Sequence, residues 1–306
     1  SSQPPDIDPA PPPQGADVPR DLRTLSQRYG IRFKKGLGQN LLLDDNINRI
    51  MVDAADLSSE DDVVEVGAGL GALTRRLATT AGRVLAIEID PSFMPCLEDQ
   101  FSHLEHMRLF RGDVLNHPVA KLVEEYLPAP RTLKMVGNLP YYITTPLLFH
   151  FLESETDFAR LVVMVQLEVG ERLVASVGAH NYGALSVASR LYADVDIVRR
   201  VPATCFVPRP KVDSCVVRFR CKRPATAIDP AFVMRVVRRA FGQRRKTLRN
   251  ALIKSGQLPG NVDTLHAAFA NADIDPARRP QTLTTDEYIA LAEAIHVHHA
   301  AGGEGE

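Results

Sequence analysis

The 306-residue chain has no tryptophan, four cysteines and almost no net charge. Cys96, Cys205, Cys215 and Cys221 form no Cys-x-x-Cys pair and have no histidine at zinc-ligand spacing, so neither a disulfide scaffold nor a structural zinc is predicted. Such sparse cysteine points to a reducing compartment, and the expected location is cytoplasmic. No run approaches the roughly 18 consecutive apolar residues of a membrane span, so no membrane partner is expected. Lys+Arg 36 against Asp+Glu 37 gives a net charge of -1, which excludes a uniformly basic protein but not a locally basic one. His296, His298 and His299 cluster near the C-terminal end, where the closed geometry of a metal site is rarely available, so no metal is predicted.

What remains is ordinary for a globular chain: 45% hydrophobic and 24% charged residues, at a length that suggests two domains. Residues 1–19 are rich in proline and poor in core formers and read as a disordered tail. They lack the apolar stretch of a signal peptide, and no arginine precedes Arg20, which argues against a transit peptide. Residues 300–306 read as a second loose end. Between them, apolar runs of strand length at 63–66, 83–88, 133–136 and 161–165 alternate with helix-length segments at 70–77, 92–101, 145–152 and 168–174. A short strand is expected to lead to Asp113. Continuous apolar strands separated by helices predict a parallel sheet covered on both faces. Two further strands, 195–201 and 215–219, are expected near an edge, with antiparallel pairing left open, and from Pro230 onward the pattern turns helical, at 232–241, 247–253, 262–269 and 285–295. The expected organisation is an α/β domain over 20–222 and a small helical domain over 223–299.

Glu65-Val66-Gly67-Ala68-Gly69-Leu70-Gly71 follows the first long strand and opens a helix. Glycine is needed where the backbone turns sharply and a ligand approaches it closely. Glu88 ends the next strand, 88 − 67 = 21 residues on, where a carboxylate can accept both hydroxyls of a ribose. An adenosine-containing cofactor is therefore expected at the carboxyl ends of these strands. The turn alone leaves the cofactor open, because Gly67-x-Gly69-x-x-Ala72 also satisfies the dinucleotide pattern.

Asn138-Leu139-Pro140-Tyr141 follows the strand at 133–136, at the same sheet edge. The Asn138 side-chain carbonyl and the Leu139 backbone carbonyl can both accept from an exocyclic amine. Pro140 fixes the turn, and Tyr141 offers a face on which a base can stack. Methyl transfer to a nucleobase amine needs this set. The amine lone pair is conjugated into the ring, and two acceptors on its hydrogens favour the pyramidal, nucleophilic form.

Seven stretches occur in order: Lys35-Gly36-Leu37-Gly38-Gln39-Asn40-Leu41-Leu42, the turn at 65–71, Ile87-Glu88-Ile89-Asp90, Gly112-Asp113-Val114-Leu115, residues 138–146, Phe206-Val207-Pro208-Arg209-Pro210-Lys211-Val212-Asp213-Ser214, and Gln243-Arg244-Arg245-Lys246-Thr247-Leu248-Arg249-Asn250. Over about residues 20–296 the chain resembles the ribosomal RNA small-subunit adenine dimethyltransferase family, the KsgA type. The resemblance implies a Rossmann-like domain dependent on S-adenosylmethionine, with a small helical C-terminal domain. It implies that Asn40 and Leu42 touch the cofactor, Gly67 lies under its methionine part, Glu88 holds the ribose, Asp113 meets the adenine amino group and Asn138 lies at the transferred methyl. Leu41 stands where the family usually has phenylalanine. The implied activity is dimethylation of two adjacent adenosines near the 3′ end of small-subunit rRNA, within an immature small subunit, by a monomer.

Residues 199–254 carry sixteen Lys and Arg against Asp213 and Asp229, a local charge of 16 − 2 = +14 on a chain of net -1. That asymmetry suits a polyanion docked on one face. Arg209, Lys211, Arg244, Arg245, Lys246 and Arg249 are the expected RNA contacts. The target adenine must leave its stack to be reached, and Phe206 is placed to close over it from the face opposite Tyr141. Three rivals share parts of this pattern. They are the large-subunit rRNA methyltransferase of the macrolide-resistance type, a non-catalytic nucleic-acid-binding factor on the same fold, and a DNA adenine methyltransferase. The 138–146 string favours the small-subunit type over the first, intact Glu88, Asp113 and residues 138–141 argue against the second, and residues 243–250 argue against the third.

Overall fold

In the computed structural model the described residues are 21–31, 40–243, 245–253, 258 and 262–302. The expected tail at 1–19, residues 35–39 of the first stretch and Arg244 lie outside them.

Among the described residues seven strands form the main sheet: β2 (Asp61–Val66), β3 (Arg83–Glu88), β4 (Met107–Arg111), β5 (Thr132–Asn138), β6 (Phe158–Gln166), β7 (Ala193–Val201) and β9 (Ser214–Cys221). Their order is β4-β3-β2-β5-β6-β9-β7. The first five are parallel to one another, while β9 runs antiparallel between β6 and β7. The order reverses beside β2, so a crevice opens at the carboxyl ends of β2 and β5, where open α/β sheets bind ligands. A separate two-stranded sheet pairs β1 (Leu41–Leu42) with β8 (Phe206–Val207).

The apolar runs become strands because both faces of the sheet are covered. One core cluster holds Val63, Ala86, Val136 and Val162 with Met51, Leu73 and Leu77, from α2 (Asp45–Ala55) and α3 (Ala72–Thr80). The other holds Val64, Leu85, Met135 and Val163 with Leu122 of α5 (Val119–Tyr126) and Leu148 of α6 (Thr144–Leu152). Successive residues of one strand thus feed opposite cores, as the pleat requires.

α4 (Met94–Phe101) and α7 (Leu167–Val174) fall near the expected positions. α1 (Leu22–Arg28), α2, α5 and α8 (Ala184–Tyr192) were not expected from the pattern. In α8 the apolar spacing is interrupted by Ser186 and Ser189, weak helix formers. Tertiary contacts compensate: their buried hydroxyls donate to the carbonyls of Arg172 and Leu173 of α7.

β9 ends at Cys221, next to the expected boundary. The helical part holds α9 (Pro230–Phe241), α10 (Val262–Asn271) and α11 (Thr285–Gly302). α11 continues to Gly302, so residues 300–302, expected as part of a loose end, are helical. The helix expected over 247–253 is confined to a five-residue π-helical turn, Arg249–Ile253. The core around α9 also takes Tyr182, Val187, Ala188 and Leu191 from before residue 222. Phe149 and Tyr192 pack against both this cluster and the second sheet core, so α6 and α8 join the two parts.

Candidate active site

The cleft at the carboxyl edge encloses about 1090 Å³ including its open mouth, and is lined by Asn40, Leu42, Gly67, Glu88, Asp113, Asn138, Leu139 and Tyr141, among others. Every expected cofactor residue is therefore at one place. The parallel strands deliver them there: Gly67 follows β2, Glu88 ends β3, Asp113 lies just beyond β4 and Asn138 ends β5.

The glycine turn is shaped by conformations that side chains resist. Gly67 has φ +82, and a Cβ on it would lie 3.1 Å from the Asn138 carbonyl oxygen. The cofactor turn and the 138–141 loop thus approach each other at a position without a side chain. Gly71, the N-cap of α3, has φ +84, and a Cβ there would meet the Phe101 ring at 2.7 Å.

Glu88 is buried and accepts from Gly69 N at 2.8 Å and Asp90 N at 2.8 Å. Burial pushes its carboxyl up, and those two N–H donors oppose the shift. A carboxylate has about four acceptor sites, so it can hold the turn and still receive ribose hydroxyls. Asp113 caps the short turn Val114–Asn116, accepting from Leu115 N at 3.0 Å. An acid inside the cleft and a backbone that admits close approach together fit an adenosine-bearing cofactor. Asn48, Ile89 and Phe93 also line the cleft, which sequence reasoning missed. Ile89 neighbours Glu88 in the chain, whereas Asn48 arrives from α2 with no local signal.

Behind the turn sits Glu65, fully buried on β2, with no hydrogen-bond partner for either carboxyl oxygen among the described residues. Burial raises its pKa to about 8; the Thr74 side chain opposes this only in part, and Glu88 adds to it. Glu65 is therefore largely protonated at neutral pH.

The 138–141 loop lies across the end of β6. Leu139 N donates to Met164 O at 3.1 Å. Pro140 O accepts from Ile143 N at 3.2 Å and from the Thr144 hydroxyl at 2.9 Å, which ties the loop to the start of α6. Tyr141 reaches past β6 to Ser214 of β9, with its hydroxyl 2.5 Å from Ser214 Oγ.

Phe206 does not reach the cleft. The residue is only 2% exposed, in the same core cluster as Leu42, Met164 and Val216. The reason is the β1–β8 pairing, which sets Leu42 opposite Phe206 and turns Phe206 inward and Val207 outward. The expected closure of Phe206 over a base is thus absent from this conformation.

Arg209 and Lys211 are exposed on the loop between β8 and β9, at the cleft edge of the sheet. Arg245, Lys246 and Arg249 are exposed after α9, and none of them lines the cleft. The local charge of +14 is reduced by acids from elsewhere in the chain. Arg218 and Arg220 pair with Asp196 at 2.9 and 2.8 Å, Lys222 with Asp194 at 2.8 Å, Arg223 with Asp157 at 3.3 Å, Arg200 with Glu171 at 3.5 Å, and Arg238 with Glu153. Counting within residues 199–254 could not reveal these partners.

Residues 30–293 match the family model for ribosomal RNA adenine dimethylase. The chain is 41% identical over 283 residues to the ribosomal RNA small subunit methyltransferase A of Geobacillus sp. (strain WCH70), across 91% of this chain and 97% of the relative. With the protein of the same name from Bacillus mycoides (strain KBAB4) it shares 40% identity over 285 residues, 92% of this chain and 97% of the relative. A solved dimethyladenosine transferase from Plasmodium falciparum has the same fold, with a TM-score of 0.72 at 24% identity over 84% of this chain and 98% of the other. The 23S rRNA methyltransferase ErmE gives a TM-score of 0.60 at 25% identity over 84% and 99%. With the match running through both the sheet and the helical part, and the cleft assembled from the expected residues, this chain belongs to the ribosomal RNA adenine dimethylase family.

Proposed function

We propose that this chain transfers two methyl groups in turn to the exocyclic nitrogen of each of two adjacent adenosines near the 3′ end of small-subunit rRNA, acting as a monomer on an immature small subunit. Ribosomal RNA adenine dimethylation is the activity of its family, and S-adenosylmethionine, when bound, supplies a methyl already activated on a sulfonium. The small-subunit target is supported by the relatives at 41% and 40% identity, against 25% for ErmE.

The observation that carries the reading is the contact between the two loops: Asn138 lies against Gly67, so an amine held at the 138–141 loop meets the cofactor turn. Asn138 Oδ1 and the Leu139 carbonyl accept from the amine hydrogens and draw its lone pair out of the ring plane. Tyr141 stacks on the flipped base. After the first transfer one hydrogen remains, and one acceptor suffices to orient the second. The methylated nitrogen, still part of a purine, is strongly acidic while positively charged and releases its proton to water. Arg209, Lys211, Arg245, Lys246 and Arg249 hold the RNA backbone, which makes residues 223–299 chiefly an rRNA-binding part.

Asn138 acts on the amine itself, so its benefit belongs mainly to the transition state. Asn138→Ala should cut single-turnover methylation of immature small subunits by about 100-fold, the order lost with one transition-state hydrogen-bonding group. RNA affinity should change far less. Mass analysis for mono- and dimethyladenine reads the outcome; a wild-type rate in this variant would move the chemistry to another site.

A further inference from the structure

We propose that Ser214 is a positioning residue that fixes where the Tyr141 ring stands to stack on the flipped adenine. The inference rests on the reading of Tyr141 as the stacking platform. The Ser214 Oγ to Tyr141 hydroxyl distance is 2.5 Å, and Ser214 is fully buried.

The two ends of this bond differ in rigidity. Ser214 opens β9 and is paired on both sides, to Gln166 of β6 and to Val201 of β7. The residue before it is pinned as well: Asp213 O accepts from Leu167 N at 2.9 Å, and Asp213 Oδ1 accepts from Ala203 N at 2.8 Å. The hydroxyl of Ser214 is thus a fixed point of the sheet. Tyr141 instead sits on the short 3-10 turn Tyr141–Ile143, and its side chain turns about two torsions. The hydroxyl lies on the axis of the second torsion, so a bond there fixes the first torsion, which sets where the ring stands.

The bond is neutral. Burial raises the Tyr141 phenol above its ordinary value, with Ser214 opposing, so the pair stays uncharged through the physiological range. Its contribution is orientation, without proton transfer. Asp213 also closes the loop that carries Arg209 and Lys211, so the ring and two candidate RNA-backbone contacts are referred to one strand end.

A platform that only stacked would tolerate phenylalanine at position 141. An anchored platform would not, because Tyr141→Phe removes the same bond as Ser214→Ala. The test is single-turnover methylation by the full chain in five forms: wild type, S214A, Y141F, the S214A/Y141F double variant and Y141A. Cofactor affinity is followed by calorimetry. S214A and Y141F should each be slower by about fivefold, the worth of one neutral hydrogen bond. The double variant should be no slower than either single, and cofactor affinity should be unchanged. Multiplying effects, or a general loss of cofactor affinity with S214A, would make Ser214 a packing residue and overturn the proposal. Should S214A not fold, Y141F decides alone: a wild-type rate overturns the proposal, and a fivefold loss with intact cofactor binding supports it. Y141A at the wild-type rate would instead sink the stacking reading beneath it.

Discussion

The carboxylate of Glu88 both holds the turn and lines the cleft. Its bonds to Gly69 N and Asp90 N hold the glycine turn against β3, and its remaining acceptor sites face the cleft. Glu88→Ala should therefore weaken S-adenosylmethionine binding by about 1.5–3 kcal/mol, the range for hydrogen bonds to a charged group. Glu88→Gln keeps one carbonyl acceptor and should lose less. Because burial raises the Glu88 carboxyl, lowering the pH should protonate it early and reduce cofactor affinity. Calorimetry across a pH series checks both; an affinity unchanged in the alanine variant would remove Glu88 from the ribose. The correction at Phe206 also belongs at this scale. An aromatic ring can stack on a base, yet the Phe206 side chain is directed by a pairing with β1 that lies far away in sequence.

Among elements, β2 carries three buried acids in six residues. Burial pushes Asp61 and Asp62 up. Their partners prevail: Lys134 Nζ lies 2.9 Å from Asp61, and Arg83 donates to both Asp62 oxygens at 2.9 and 2.6 Å, so both carboxyls end below their ordinary value. Stability from these pairs is present above the ordinary carboxylate range and is lost as pH falls. Glu65 has the opposite sign. Its pKa rises from 4.5 to about 8, so the folded chain binds a proton that the unfolded chain has released. Its contribution is present below 4.5 and is lost as the pH climbs toward about 8. Glu65→Gln keeps the neutral shape and should remove this slope. Denaturation of both forms between about pH 5 and 8.5 should show wild type losing ground to the variant as pH rises. A constant difference would mean that Glu65 does not titrate in that window.

For the whole molecule, tertiary pairing narrows the basic footprint. Arg218 and Arg220 face Asp196, whereas Arg245, Lys246 and Arg249 stand exposed after α9. RNA affinity should fall steeply with salt, since each neutralised phosphate releases counterions. Charge reversal at Arg245 and Lys246 should reduce the log–log slope by about 0.7–0.9 for each phosphate no longer neutralised and leave cofactor affinity alone. Arg218→Gln and Arg220→Gln should leave that slope nearly unchanged. Equal slopes for both sets would return the whole 199–254 segment to the interface.

Periodicity and local chemistry were enough to read the parallel sheet, the glycine turn and the 138–141 loop. A strand buried on both faces must be continuously apolar, and a turn that admits a ligand must be glycine-rich, so each leaves a mark within a few residues. Resemblance added the expectation that Asn40, Leu42 and Asp113 join the cleft, which no local pattern specifies. Only the tertiary structure decided the inward turn of Phe206, the bond from Tyr141 to Ser214 some 73 residues away, and the acids that answer the basic segment. Those features are pairings between distant parts of the chain. Spacing along a sequence records the faces of single elements, while which faces meet is set by the order in which strands enter the sheet.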